Sequence, residues 1–139
     1  MAIADKQTVK RKKQIIYSDI TTDFGLNPVT GILSRVTNEN SIGQSLKNLT
    51  LTSYGERFFD SNKGSPIQNA LFDLYDPTRI EFLKVQLRNL YENYEPRAII
   101  YDIRIEDLLD SNAIGITVVY GSQNLEGEFE ILINIQRVR

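Results

Sequence analysis

Carboxylates are the side chains of this sequence best suited to chemistry, because the chain contains no histidine and no cysteine. A glycoside hydrolase needs two carboxylates, one of them a general acid with a raised pKa. The candidates are Glu95, Asp102, Glu106 and Asp107. Arg97 stands two residues after Glu95, and a nearby cation lowers a carboxyl pKa, which is the wrong direction for a general acid. We therefore expect a protein that is not an enzyme, with a hydrolase using paired carboxylates as the alternative.

Other reaction classes lack the residues that they need. Without cysteine there is no thiolate nucleophile or cysteine metal site, and without histidine no side chain normally titrates near neutral pH. The sequence has no glycine-rich phosphate loop, no EF-hand spacing and no Gly-x-Ser-x-Gly nucleophile motif. We expect no cofactor, no metal ion and no small-molecule substrate.

The segment 93–97 is the most distinctive short motif. Pro96 fixes the backbone and removes a hydrogen-bond donor, and Glu95 and Arg97 flank it with opposite charges. A rigid corner that holds two charges outward suits a docking point, because docking then costs little conformational entropy. The alternative is that Glu95 and Arg97 only pair with each other or cap a helix.

Helical signals precede this corner. Asp76-Pro77 predicts a helix start, because Asp76 can cap a free N–H and proline suits the first helical position. From there an apolar stripe runs at helical spacing through Ile80, Leu83, Leu87, Leu90, Tyr91 and Tyr94. Earlier helices are predicted after a cap at Asn40 or Ser41 and over residues 67–75, with a short strand over 32–36.

The pattern after the corner changes to a period of two, which is typical of strands. Three such runs are Ile99, Tyr101, Ile103 and Ile105; Ile114, Ile116, Val118 and Tyr120; and Phe129, Ile131, Ile133 and Ile135. Short connections between them predict an antiparallel meander. The fold class is therefore α+β, with a three-stranded sheet packed on the main helix in one domain over residues 14–139.

The first 13 residues differ in charge from the rest of the chain. They hold five cations against Asp5, a balance of +4, which leaves −6 for the other residues because the whole chain carries −2. We interpret residues 1–13 as a flexible basic arm. Nucleic-acid binding by this arm is a further hypothesis, which the acidic remainder disfavours. No apolar run long enough to span a membrane occurs, and no signal peptide is present, so we expect synthesis in a cytoplasm.

A glycine-rich loop is expected over residues 53–66. Arg57, Phe58 and Phe59 lie among its turn-forming residues, and the two aromatic rings are expected to pin the loop to the core.

These segments together resemble the lysozyme-like baseplate wedge family of contractile phage tails, which is related to a baseplate component of type VI secretion systems. The resemblance is carried by Glu95-Pro96-Arg97 after Asn93-Tyr94, and by the helix and loop that run from Leu46-Lys47-Asn48-Leu49 to Gly55-Glu56-Arg57-Phe58. Gly64 falls near a further glycine of the family. The resemblance covers Tyr17 to the C-terminus, and the proline that often follows the loop arginine is missing here.

The resemblance implies a structural subunit present in six copies around the tail tube. Members contact other baseplate wedge proteins, and the first ring of the tail sheath assembles on them. The location implied is the tail baseplate of the virion, and the alternative is the equivalent baseplate component of a type VI secretion system. The partner-binding residues implied for this chain are Glu95, Pro96 and Arg97, with Gly55, Arg57 and Phe58.

The C-terminal strand is the candidate for sheath contact. It alternates apolar and polar residues and ends in two cations, and an edge of that kind can pair with another strand through its main chain. The candidate residues are Ile131, Ile133, Ile135, Arg137 and Arg139. The alternative is an ordinary third strand whose basic end only discourages aggregation.

Overall fold

The computed structural model describes residues 14–71, 76–108 and 113–136. The predicted arm over residues 1–13 and the candidates Arg137 and Arg139 lie outside these ranges. Two short strands and three helices come first: β1 (Ser18–Ile20), β2 (Arg35–Thr37), α1 (Glu39–Leu51), α2 (Ile67–Ala70) and α3 (Pro77–Tyr94). Three long strands follow: β3 (Ile99–Leu108), β4 (Ala113–Ser122) and β5 (Leu125–Gln136).

The three long strands form an antiparallel sheet in the order β3-β4-β5. On its middle strand Ile116 is paired with Ile105 on one side and with Ile133 on the other. One face of the sheet packs against α1 and α3, and the buried core lies between them. The predicted α+β class and the meander are confirmed.

Helix α3 begins and ends where the sequence predicts. The Asp76 carboxylate accepts a hydrogen bond from the Thr78 N–H at 3.0 Å, and Pro77 occupies the first turn. The helix ends at Tyr94, since proline at 96 disfavours helical geometry in the residue before it. Leu87 and Tyr91 are fully buried on its inner face.

Arg88 on α3 ties the helix to the first strand of the sheet. Its guanidinium donates to the carbonyl oxygens of Ile100 at 3.0 Å and Tyr101 at 3.4 Å. Sequence spacing pairs Arg88 with Glu92, one turn further along. Arg88 binds these carbonyl oxygens instead of the Glu92 carboxylate because β3 lies directly beside the helix and presents main-chain acceptors.

Helix α1 starts earlier than predicted. Its N-cap is Asn38, with a φ of +50°, and neither Asn40 nor Ser41 caps the helix. The Asn38 side chain does not cap the helix either. Its Oδ1 accepts from the N–H groups of Ile16 at 2.8 Å and Tyr17 at 3.3 Å. Asn38 thus fastens the start of the described chain to the helix, a long-range role that local capping rules do not reveal.

A β-bulge in β3 overturns part of the predicted alternation. The register shifts between Ile100 and Asp102, so Tyr101 is an extra residue. Ile100 is therefore buried, whereas Ile99 and Tyr101 are exposed, which is the reverse of the prediction. From Ile103 onward the predicted inward face is correct.

The predicted strand over 32–36 is β2 at Arg35–Thr37, which pairs antiparallel with β1. Residues 21–34, here called the finger, connect the two strands. The predicted helix over 67–75 is α2 at Ile67–Ala70, and residues 72–75 lie outside the described ranges.

Candidate functional site

The corner after α3 is built around an ion pair between Glu95 and Arg97. The Arg97 Nε lies 2.6 Å from Glu95 Oε1, and its Nη2 lies 2.8 Å from Oε2, so both carboxylate oxygens are engaged. Glu95 is only 3% exposed. Pro96 between them is exposed and holds the turn. Two parallel charge-assisted hydrogen bonds of this kind are among the strongest polar contacts in proteins.

This geometry corrects the idea that the corner holds both charges outward. Glu95 points inward and serves the fold, as the local-pairing alternative predicted. The Arg97 side chain remains 30% exposed. Of the three corner residues, only Pro96 and the outer part of Arg97 are accessible to a partner.

The protonation of the pair follows from its surroundings. Burial alone raises the pKa of Glu95, but hydrogen bonds from Arg97 and Ser45 outweigh it, and the pKa is lowered overall. The hydrogen bond to Glu95 raises the pKa of Arg97. Glu95 is therefore ionised at neutral pH, the opposite of what a general acid requires.

Arg97 also joins the corner to the N-terminal strand. Its guanidinium lies over the Tyr17 ring, with Cζ 5.4 Å from the ring centroid. Its Nη2 is 3.9 Å from Asp19 Oδ2, a long contact. The Tyr17 hydroxyl accepts a hydrogen bond at 2.6 Å from the side chain of Asn124. Asn124 lies in the turn between β4 and β5. Residues far apart in sequence therefore meet at this corner.

The loop over residues 53–66 does not use its aromatic rings to reach the core. Phe58 and Phe59 are fully exposed, which overturns the prediction that they pin the loop. The loop is held by its main chain: Gly55 N–H donates to Ser61 O at 3.0 Å, and Ser65 N–H donates to Thr52 O at 2.8 Å. These main-chain bonds close the loop without the two aromatic rings, which remain at the surface.

Two glycines make this loop possible. Gly55 has a φ of +84°, a conformation that other residues rarely adopt. At Gly64 a Cβ would lie 2.6 Å from the carbonyl carbon of Ser53 and 2.6 Å from the N of Tyr54. The two ends of the loop can therefore approach only if position 64 has no side chain.

The isoleucines of β5 that were candidates for sheath contact face the core instead of the surface. Ile133 is 1% exposed, and Ile131 and Ile135 also pack against the core. The outward residues between them include Leu132, a large exposed apolar side chain. Because β5 pairs only with β4, its outer main-chain edge has no partner within the described sheet.

The remaining carboxylates do not form a catalytic arrangement in the described chain. Asp102 pairs with Arg104 at 3.2 Å, and Glu106 is exposed at the surface. The side chain of Asp107 is outside the described set. No group of three potential metal ligands occurs among the described residues.

A buried polar pair between α1 and α3 was not predicted from the sequence. The hydroxyls of Thr50 and Tyr91 lie 2.6 Å apart, and Thr50 donates to Leu46 O at 2.7 Å. Since the Thr50 hydroxyl has one proton, Tyr91 is the donor to Thr50. In the sequence, this pair is indicated only by Thr50, a polar residue on the buried side of α1.

Among the described residues, no helix is both long enough and apolar enough to cross a membrane.

Comparison with known proteins gives a fold but no sequence family. No family model matches the chain, and no curated protein matches it at a significant level. Three solved structures share its fold. A Geobacter sulfurreducens protein with the provisional name tail lysozyme aligns with a TM-score of 0.65 and 17% identity, over 73% of this chain and 92% of that one.

The other two come from baseplates. A chain in the six-fold symmetrised baseplate of the anti-feeding prophage aligns with a TM-score of 0.67 and 20% identity, covering 78% of this chain and 87% of that one. A chain in the postcontracted baseplate of pyocin R2 aligns with a TM-score of 0.51 and 13% identity, covering 82% of this chain and 98% of that one. The predicted resemblance to baseplate proteins is thus confirmed at the level of the fold.

Proposed function

We propose that this chain is a structural subunit of the baseplate of a contractile tail, linking the wedge proteins of the baseplate to the sheath. The observation that carries the proposal is the shared fold of chains from two baseplates, each of which is matched over most of its length. The chain then acts by holding partners, and its location is the assembled particle. A phage tail is the first expectation, and a type VI secretion baseplate is the alternative.

The described surface supports an assembly role. Phe58 and Phe59 are exposed on a loop whose ends are closed by main-chain hydrogen bonds, and aromatic residues, phenylalanine included, are enriched in protein interfaces. Arg97 presents its outer face beside Pro96. The wedge-facing surface proposed here comprises Pro96, Arg97, Gly55, Arg57 and Phe58.

The sheath-facing surface proposed here is the outer edge of β5. Main-chain groups on that edge can pair with a strand of another protein, and the alternating side chains then fix the register. Ile131, Ile133 and Ile135 support the strand from inside, and Leu132 lies on the opposite face.

We propose further that the chain is not an enzyme. The carboxylate best placed to act as an acid, Glu95, is engaged by Arg97 and has a lowered pKa. The name tail lysozyme, carried by a structural neighbour, makes the hydrolase the second candidate. A cell-wall hydrolysis assay on the purified chain is expected to show no activity, and activity lost in Glu95→Gln would reverse this conclusion.

The sheath contact is tested by replacing Leu132 with lysine and measuring sheath assembly in particles complemented with the variant. Leu132→Lys is expected to reduce the number of sheathed tails while the free energy of unfolding stays within about 0.5 kcal/mol of wild type. Phe82→Lys, which changes an equally exposed residue on α3, is the matched control and is expected to leave sheath assembly intact. Equal sheath assembly in both variants would contradict the proposed contact.

A further inference from the structure

A cleft of about 350 Å³ opens between the finger, helix α1 and the loop over residues 53–66. Its walls combine apolar and cationic groups. Ile20, Phe24 and Leu49 provide apolar surface, and Arg57 and Lys63 provide positive charge. The cleft lies apart from the outer edge of β5 but borders the corner, because Asp19 and Ser45 in its lining face Arg97 and Glu95.

Among the described residues, neither of the two cations has an acidic partner. Within the part of the chain that the structure describes, the Arg57 side chain makes no hydrogen bond or ion pair, and Lys63 Nζ lies over the Tyr94 ring, 5.0 Å from its centroid. The one carboxylate in the lining, Asp19, accepts from Ser41 at 3.2 Å and faces Arg97. The loop therefore presents Arg57 and Lys63 towards the cleft, while its own two carboxylates, Glu56 and Asp60, lie outside the cleft lining.

The finger on the opposite wall is an ordered apolar surface. Phe24, which lines the cleft, is 69% exposed, and Val29, which lies further along the finger outside the lining, is 90% exposed. Local hydrogen bonds fix its backbone: Asn27 N–H donates to Ile32 O at 2.8 Å, and Asn27 Oδ1 accepts from Val29 N–H at 2.9 Å. A surface that is already ordered loses little conformational entropy when a partner covers it.

A side chain occupies the edge of β1 that borders the cleft. Gln44 Nε2 donates to Ile20 O at 2.8 Å, and its Oε1 accepts from Thr22 N–H at 3.1 Å. These main-chain groups point away from β2, and the amide satisfies them much as the main chain of a neighbouring strand would. Rotation of one glutamine side chain would open this edge to an extended peptide.

We propose that this cleft binds an extended segment of another baseplate protein in which apolar and acidic side chains alternate. Main-chain groups of the segment replace Gln44 along β1. Its carboxylates pair with Arg57 and Lys63, and its apolar side chains cover Phe24. The inference rests on the proposed function, because it takes the partner from the same assembly, and it specifies the partner's chemistry.

Charge argues for a protein segment over the other classes of occupant. The residues 53–66 carry two cations and two carboxylates, a balance of zero that gives no attraction to an anionic membrane. The described cleft holds two cations and no stacked series of aromatic rings along a basic track, which a nucleic-acid strand would need.

The first experiment is co-expression with the neighbouring baseplate proteins and purification of the complex. Arg57→Glu/Lys63→Glu in the full chain is expected to reduce the recovered complex at least about tenfold, because like charges then face the carboxylates of the segment. Lys47→Glu, an exposed charge reversal on α1 outside the cleft lining, is the control and is expected to retain the complex.

The outcomes separate the two proposals. Absence of a complex with the wild-type chain would overturn the assembly function itself. A complex that survives Arg57→Glu/Lys63→Glu would overturn the cleft and the place of Arg57 in the wedge-facing surface, and it would leave the assembly function itself standing.

The second experiment replaces Phe24 by the photoreactive analogue p-benzoylphenylalanine and identifies the cross-linked peptide by mass spectrometry. A peptide from another baseplate protein with alternating apolar and acidic residues is the expected product. Cross-links to residues 1–13 of the same chain, to a second copy, or to a segment without acidic residues would contradict the proposal.

Discussion

Arg97 donates hydrogen bonds to both carboxylate oxygens of Glu95, at 2.6 and 2.8 Å, across the single residue Pro96. The carboxylate is buried and the guanidinium is partly exposed, so the pair has a structural side and an accessible side. Because Arg97 also lies over the Tyr17 ring, the corner between α3 and β3 is joined to the residue that precedes β1. A corner of this kind gives a docking surface a fixed shape.

The first prediction concerns the coupling of the two charges. Arg97→Ala leaves a buried carboxylate without its partner and is expected to destabilise the fold by about 2–4 kcal/mol. Glu95→Gln/Arg97→Ala is expected to be less destabilising than the sum of the single changes, with a coupling of about 1–3 kcal/mol. Urea unfolding of the four proteins measures this. Additive effects would show that the pair contributes nothing as a pair.

The second prediction concerns acid. The pKa of Glu95 is lowered in the folded protein, so the unfolded chain takes up this proton first as the pH falls. The ionised Glu95 therefore stabilises the fold above the ordinary glutamate pKa of 4.5. This stabilisation is lost as the pH falls through the lowered pKa of Glu95 in the folded protein. Glu95→Gln is expected to flatten the fall in unfolding free energy below pH 4.5. Exposed Glu92→Gln is the control, and an equally flattened curve for it would contradict the assignment.

The third prediction concerns alkali. Burial raises the pKa of Tyr91 to about 12, although the hydrogen bond with Thr50 lowers it. The folded state therefore favours the neutral phenol, and this stabilisation is present below pH 10 and lost as the pH rises towards 12. Tyr91→Phe is expected to reduce that loss at a cost of about 1 kcal/mol at pH 7. Exposed Tyr54→Phe should behave as wild type, and a Tyr91→Phe curve with the wild-type slope would count against the burial of this hydroxyl.

The fourth prediction concerns the closure of the loop. Gly64→Ala places a methyl group against the backbone of Ser53 and Tyr54, which cannot rotate away as a side chain would. We expect a loss of about 2–3 kcal/mol in unfolding free energy. Gly25→Ala is the matched control, because nothing lies within 4 Å of its Cβ and its φ is not positive. Thermal unfolding of both variants checks the difference, and equal transition temperatures would refute the close approach.

Local rules predicted the elements that local interactions determine. Asp76 and Pro77 specify the start of α3, and the alternation in β4 and β5 identifies the inner face of the sheet. The misses involve contacts between distant residues. The bulge at Tyr101 depends on pairing with β4, and Asn38 is selected by its bonds to the N-terminal segment.

The sequence predicted a corner at 95–97 but not the orientation of its charges. Whether Glu95 points inward depends on the packing of α1, which brings Ser45 to it. Phe58 and Phe59 would be expected inside by hydrophobicity alone. They are outside because the main chain and Gly64 close their loop without them.

Quantitative mass spectrometry of purified contractile particles from the strain that encodes this chain tests the central claim most directly. The account predicts that the chain is present in intact particles, in a fixed ratio to the other baseplate proteins, and that it remains when the sheath is stripped away. Its absence from the particles, or its removal together with a soluble fraction that degrades cell walls, would contradict a structural role in the baseplate.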